Sequence, residues 1–401
     1  MDTHQYQETA PAPALTATAR ERPRLRIAFN RNELSGAFGD IGTDFPLVVG
    51  MILAGGLDPG SVLIVFGAMQ VATGLLYVMP MPVQPLKAMA ALVITQKLGG
   101  DILYGAGLAI GVTMLLLTVT GLIDKLANAI PKVVVRGIQL GLGIQLATVA
   151  LKQYLPADGI GGYALAFFCA VLIVLLLGNR RFPPAPFVIL IGIVSALVAG
   201  ADIGHLAGGF GIHLPELHMP QLSDIWLGFL LLALPQIPLS LGNSVLATRQ
   251  VAADLFPDRA ITVRKIGLTY SAMNLVNPFL SGVPTCHGAG GMVGHYTFGG
   301  RTGGSVILYG ALYLLIGLFF SGVFNEVVQF FPKPVLGIIL FFEAVAIMRL
   351  IRDTADTASD FSVVLITGLA AATLPYGYLV ALIVGAVLAY LVRKRFTTLG
   401  T

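Results

Sequence analysis

PMPVQPLKAMAA at residues 80–91 and GVPTCHGAGGMVGHYTFGGRTG at residues 282–303 decide how this chain is read. Each begins with proline, or with glycine and proline, and leads into a short segment, about 85–98 and 286–297. Neither segment can cross a hydrocarbon core of about 30 Å alone. Proline suits the first turn of a helix, because the N–H it lacks has no intrahelical partner there. It also pushes the residue before it into extended geometry. Two half-length helices are therefore expected, each starting within the bilayer after a short extended stretch.

The two stretches are equivalent positions of a repeat. PVQPLKA (82–88) aligns with PTCHGAG (284–290), and PKVVVRGI (131–138) with PKPVLGI (332–338), at offsets of 202 and 201 residues. Two unrelated matches rarely share an offset. The 401 residues are 56% hydrophobic and 11% charged, against about 25% charged in soluble domains, which places most of the chain in lipid. Fourteen membrane segments are expected, at about 34–54, 60–79, 85–98, 102–122, 132–151, 161–178, 185–203, 226–250, 265–281, 286–297, 303–325, 334–351, 360–374 and 377–394. Each half holds seven, an odd number, so the second half must lie inverted. The expected fold is an all-α membrane protein of two inverted repeats, 32–203 and 226–396, joined by a periplasmic linker at 204–225. Residues 1–31 are expected to form a disordered cytoplasmic tail. With the N-terminus inside, nearly all Lys and Arg from Arg20 to Arg395 fall on the cytoplasmic side. Only Lys97, Lys152 and Lys333 fall outside, and Lys87 is left in the membrane. That bias puts both termini in the cytoplasm and the protein in the inner membrane.

Inversion aims both half-helix N-termini at one central region. Each offers free N–H donors and about half a positive charge, which selects a small anion. Lys87, in the first turn of the third segment, is costly at bilayer depth unless an anion or an acid such as Asp40 or Asp44 lies beside it. Ala88 flanks it, and Gln84 can donate its amide to the anion or bond the facing backbone. Opposite stands Cys286-His287-Gly288-Ala289-Gly290, whose glycines admit a ligand close to the backbone. His287 can donate to a bound oxygen, titrate, or cap the helix; Cys286 is a ligand or a packing residue. Asp40 and Asp44 are spaced i, i+4 and share a helix face, as acids for a coupling proton or as partners of Lys87. In the eighth segment, Gln236 and Asn243 are neutral hydrogen-bonders in a Pro- and Gly-broken helix. Arg301 reads first as a loop charge.

Other classes fare poorly. His4, His205, His213, His218, His287 and His295 form no metal-spaced set on one helix; His205, His213 and His218 with Glu216 would bind a metal only weakly. No P-loop supports ATP-driven transport, and no organised nucleophile supports an enzyme. No cofactor is expected. The net charge of +4 follows from cytoplasmic loops rather than nucleic-acid binding.

At GDIGTDFPL (39–47), PMPVQPLKAMAA (80–91) and GVPTCHGAGGMVGHYTFGGRTG (282–303), the chain resembles the MOT1-type molybdate transporters, relatives of sulfate permeases within the uracil-permease-like fold. The resemblance covers about 32–395. It implies segments 1–4 and 8–11 as a core domain, segments 5–7 and 12–14 as a gate domain, β-like stretches before the half-helices, and molybdate as substrate. Two departures stand out. The cytoplasmic domain of larger sulfate permeases is expected to be missing. Asp44 stands where the family leads one to expect an uncharged, often aromatic residue. The expected function is secondary active import of molybdate by an elevator-like movement, as a symporter with a proton or cation; a homodimer fits the reading. Sulfate and tungstate share the charge and shape of molybdate. A nucleobase permease would want a carboxylate on the eighth segment, where Gln236 and Asn243 stand instead. An anion channel is the remaining alternative.

Overall fold

The computed structural model describes residues 26–123, 125, 131–176, 184–198, 210–375 and 377–399. Most of the expected tail, part of the linker, Arg20, Arg22, Arg24, Arg180, Arg181 and His205 lie outside the described residues. The chain is a mostly helical membrane protein. Its helices are α1 (Arg31–Ala37), α2 (Ile41–Gly55), α3 (Pro59–Tyr77), α4 (Lys87–Gln96), α5 (Gly100–Val119), α6 (Lys132–Tyr154), α7 (Gly159–Leu176) and α8 (Pro184–Val198). They continue as α9 (Leu222–Leu255), α10 (Val263–Val276), α11 (Ala289–Thr297), α12 (Gly304–Phe319), α13 (Ser321–Phe330), α14 (Lys333–Thr354), α15 (Ala358–Thr373) and α16 (Gly377–Leu399). The strands among the described residues are β1 (Val83–Pro85) and β2 (Thr285–His287).

A helix overlaps each of the fourteen expected segments. Among the described residues six are long and apolar enough to span a membrane by themselves (α3, α5, α6, α7, α9 and α14), and the pair α1–α2, bent by 42°, makes a seventh if it is counted as one span. The first expected segment is thus two helices. Asn30 caps α1 by accepting from the amides of Asn32 and Glu33, and the chain breaks before Asp40. The eighth segment, expected to be broken, is instead one continuous helix of 34 residues. Wide π-turns at Phe229–Ala233 and Ser240–Ala247 flank Pro235 and Pro238. Such i→i+5 turns re-space a helix around residues that cannot donate.

The centre of the fold is the ribbon β1–β2, antiparallel with Val83 opposite His287, Gln84 opposite Cys286 and Pro85 opposite Thr285. A two-stranded ribbon in lipid would leave its outer edges unsatisfied. Two carboxamides close them. Gln70 of α3 donates to the Val83 carbonyl (2.7 Å) and accepts from its amide (3.0 Å). Asn274 of α10 does the same for Thr285, at 2.6 and 2.9 Å. One turn on, Thr73 donates to the Met81 carbonyl and Asn277 to that of Val283.

Helices pack closely around this ribbon. At Gly67 and Gly74 of α3, an added Cβ would meet backbone atoms of Gly310 and Gly303, the small-residue contact that lets membrane helices approach. Glu33, buried, accepts from the amides of Arg301, Thr302 and Ser305 at the start of α12. On α7, Phe167, Phe168, Val174 and Leu175 are exposed, as a lipid-facing side requires.

Candidate functional site

Each strand feeds a half-helix: β1 leads through Leu86 into α4, and β2 through Gly288 into α11. Because the strands are antiparallel, α4 and α11 leave opposite ends of the ribbon, and their N-termini flank its middle. Neither N-terminus has a side-chain cap on its N-cap residue. Gln84 and Cys286, directly opposite in register, share one face of the ribbon.

That face borders a cavity of about 670 Å³, whose lining includes Asp40, Gln84, Lys87, Cys286, Ala289 and Gly290. The volume corresponds to roughly 20 waters, so it is a vestibule with the half-helix ends at its polar side. Gln236 and Asn243 of α9 also line it, and Lys132, Arg136, Glu343 and Leu350 border it from α6 and α14.

The polar groups are tied to one another. Gln84 donates its amide to both oxygens of Asp40, at 2.7 Å each; the carboxamide holds the acid rather than the facing backbone. Lys87 pairs with Glu343, Nζ to Oε1 3.0 Å, and not with Asp40 or Asp44 as the sequence suggested. Its side chain keeps 27% exposure to the cavity, against 8% for Glu343. The Thr43 hydroxyl donates to the other Glu343 oxygen at 3.4 Å. Ala88 does not line the cavity. Its amide donates to Gln236 Oε1 at 2.9 Å, and Gln236 is held in turn by Ser240, which meets the Tyr270 hydroxyl at 2.7 Å. One free donor of α4 is therefore already satisfied by the side chain of Gln236.

On the other half-helix, Ala289 and Gly290 reach the cavity, and a Cβ at Gly290 would meet nothing within 4 Å. Gly288 lies against the Gln84 carboxamide, with no room for a side chain. His287 departs from the role of a ligand. It is fully buried off the cavity, with Nε2 2.7 Å from the Thr269 hydroxyl and Nδ1 3.2 Å from the Pro82 carbonyl. A carbonyl only accepts, so Nδ1 carries the proton and Nε2 accepts, and the ring clamps α10 to the chain entering β1. Asp44 is also fully buried and outside the cavity lining, beside the Tyr309 and Tyr313 hydroxyls.

Elsewhere, Arg301 bonds the carbonyls of Tyr296 and Gly300 and stacks on Tyr296, a loop charge. His213 pairs with Asp58 at 3.0 Å and His218 approaches Asp101 at 3.8 Å. No group of metal-ligating residues forms among the described residues. Glu343 is the site residue that sequence reasoning missed. Its signal was a lone carboxylate inside the apolar run VLGIILFFEAVAIM (335–348), by the same logic that singled out Lys87.

Comparisons with known proteins agree with this architecture. The family described as "Molybdate transporter of MFS superfamily" matches residues 32–146 and 228–347. Molybdate transporter 1 of Arabidopsis thaliana is 33% identical over 380 residues, covering 84% of this chain and 83% of that one. Molybdate transporter 2 of the same plant is 34% identical over 378 residues, covering 82% and 81%. Among solved structures, the transmembrane domain of the cyanobacterial bicarbonate transporter BicA aligns with TM-score 0.64 and 17% identity, covering 88% of this chain and 96% of that one. The murine Slc26a9 anion transporter in its inward-facing state aligns with TM-score 0.71 and 13% identity, covering 92% and 69%. These two likenesses establish the fold. With the family match spanning more than half its length and relatives above 30% identity along most of it, this chain belongs to the molybdate transporter family.

Proposed function

We propose that this protein is a secondary active transporter that imports molybdate across the cytoplasmic membrane, binding the anion between the N-termini of α4 and α11. The observation that carries the reading is the pair of half-helix N-termini flanking one cavity, that of α11 without a side-chain cap and that of α4 with Lys87 on the cavity wall. Backbone amides and partial positive charge at two helix ends suit a small oxyanion. Lys87 supplies a full charge, and Gly290 leaves room for the ligand at the backbone. The names of the relatives supply the substrate.

The seven-plus-seven repeat is supported by pairs that exchange under it. α3 packs on α12 as α10 packs on α5, and α6 on α15 as α14 on α7. Gln70 and Asn274 hold their strands in the same way. On this reading α1–α5 and α9–α12 form the core that moves with the anion, against a gate of α6–α8 and α14–α16. The vestibule then lies between core and gate. Lys132 and Arg136 line it; with the positively charged loops taken as cytoplasmic, this is the inward-open arrangement. A nucleobase is disfavoured, because Gln236 is committed to the Ala88 amide and Ser240.

Radiolabelled molybdate uptake into proteoliposomes, competed by sulfate, tungstate and uracil, tests the proposal. Saturable uptake blocked by tungstate is expected. Block by uracil at similar concentration would overturn the oxyanion assignment.

A further inference from the structure

We propose that Glu343 holds the substrate's place on Lys87 in the empty carrier, and that the arriving dianion displaces it while Glu343 takes up one proton. The proposal rests on the oxyanion reading of the site.

Glu343 offers Lys87 what an oxyanion would. One carboxylate oxygen lies 3.0 Å from Nζ and the other 3.4 Å from the Thr43 hydroxyl. Both ends of the pair line the cavity, so a soluble anion reaches the lysine from the same space. An anion cannot bind Lys87 fully without loosening the carboxylate. The pair also joins α4 to α14, helices assigned above to core and gate, so it must part when the core moves.

Charge decides what Glu343 does next. Lys87 is the cation in direct contact with it. Asp40 and Asp44, at the N-cap and first turn of α2, are the acids of that helix that interact with it. From α6, Lys132 and Arg136 border the same cavity, but both are engaged by Asp353. From β2 comes Cys286. Of the other helices packed on α14, α7 contributes only Tyr163 and Cys169 as titratable groups and α8 none, while α15 has Asp360 in its first turn. Once a dianion takes Lys87, Glu343 loses its cation and gains two negative charges as neighbours. Both changes favour the protonated carboxyl. As a neutral acid it can stay in place and donate its O–H to the anion. When the anion leaves, Lys87 takes the carboxylate back and the proton is released.

The acids singled out from the sequence are less able to do this. Asp40 has both oxygens held by Gln84, and Asp44 lies outside the cavity lining. A proton would thus travel with each molybdate through direct competition at one lysine.

The test uses the full-length protein in weakly buffered detergent near pH 7. Molybdate is added while binding heat and proton uptake, by an indicator dye, are recorded. The wild type is expected to take up about one proton per molybdate bound, and its Kd to weaken about tenfold per pH unit across that range. Glu343→Gln is expected to bind severalfold more tightly with no proton uptake. Glu343→Asp and Asp44→Asn are expected to keep it. Binding heat without proton uptake in the wild type overturns the inference whether or not any variant folds. So does wild-type proton uptake in Glu343→Gln, or loss of it in Asp44→Asn. Absence of binding heat with molybdate would instead overturn the oxyanion reading.

Discussion

Replacing Lys87 with alanine removes, among the described residues, the full positive charge in direct contact with Glu343, and the distances set its cost. At an effective dielectric of about 20, a dianion about 4 Å from Nζ gains roughly 8 kcal/mol, and the Glu343 carboxylate it replaces, at 3.0 Å, gives up roughly 5.5 kcal/mol. The exchange favours the anion by about 3 kcal/mol. Partial exposure of the lysine, 27%, reduces that to about 2 kcal/mol, in the range of a charge-assisted hydrogen bond. Loss of about 2 kcal/mol weakens binding roughly thirtyfold. Breaking a buried pair from one side also destabilises the protein, by up to about 3–5 kcal/mol. The double variant Lys87→Ala/Glu343→Ala is expected to recover that stability and not the transport. Titration calorimetry with molybdate, beside thermal unfolding of each variant, separates the two effects. A Lys87→Ala protein that folds normally and binds within threefold of wild type would remove Lys87 from the anion site.

Other perturbations should sort by where their atoms go. Gly290→Val adds a side chain to open space at the start of α11, so uptake should be lost with an unchanged melting temperature. Gly288→Ala collides with the Gln84 carboxamide and should lower the melting temperature first. In uptake assays tungstate should compete at concentrations similar to molybdate. At the start of α3, burial works to raise the Asp58 carboxyl, but hydrogen bonds from Ser61 and the His213 contact outweigh it and hold it below its usual value. Its contribution is present above the unfolded value of about 3.9 and fades as pH falls through the folded one. The stability gap between wild type and Asp58→Asn should therefore be largest near neutral pH and shrink in acid, as read by melting scans from pH 7 to pH 3.

Much of this arrangement was legible because it is local. Proline at Pro85 and Pro284 announces an extended stretch and a late helix start whatever surrounds it, and the repeat offsets tied the two half-helices together. What escaped was pairing between distant elements. Gln84 was open to an anion or to the backbone, and only the packing of α2 against β1 brings Asp40 under it. Lys87 and Glu343 lie 256 positions apart, and no periodicity reports which helix faces which across a vestibule. His287 looked like a ligand because it sits beside the glycines. The strand period turns it away from Cys286 and the cavity, towards Thr269. The π-turns of α9 were hidden because proline signals a disturbed helix without saying whether the chain breaks or re-spaces.

The position of a bound heavy oxyanion decides whether the half-helix ends hold the substrate. A structure of the protein with tungstate, located by its anomalous scattering, should place the ion at the inner wall of the vestibule. It should lie within hydrogen-bond distance of Lys87 Nζ and of backbone amides at Ala289 and Gly290, with Glu343 no longer in contact with the lysine. Tungstate elsewhere, with the Lys87–Glu343 pair intact and both half-helix ends unoccupied, would contradict the account.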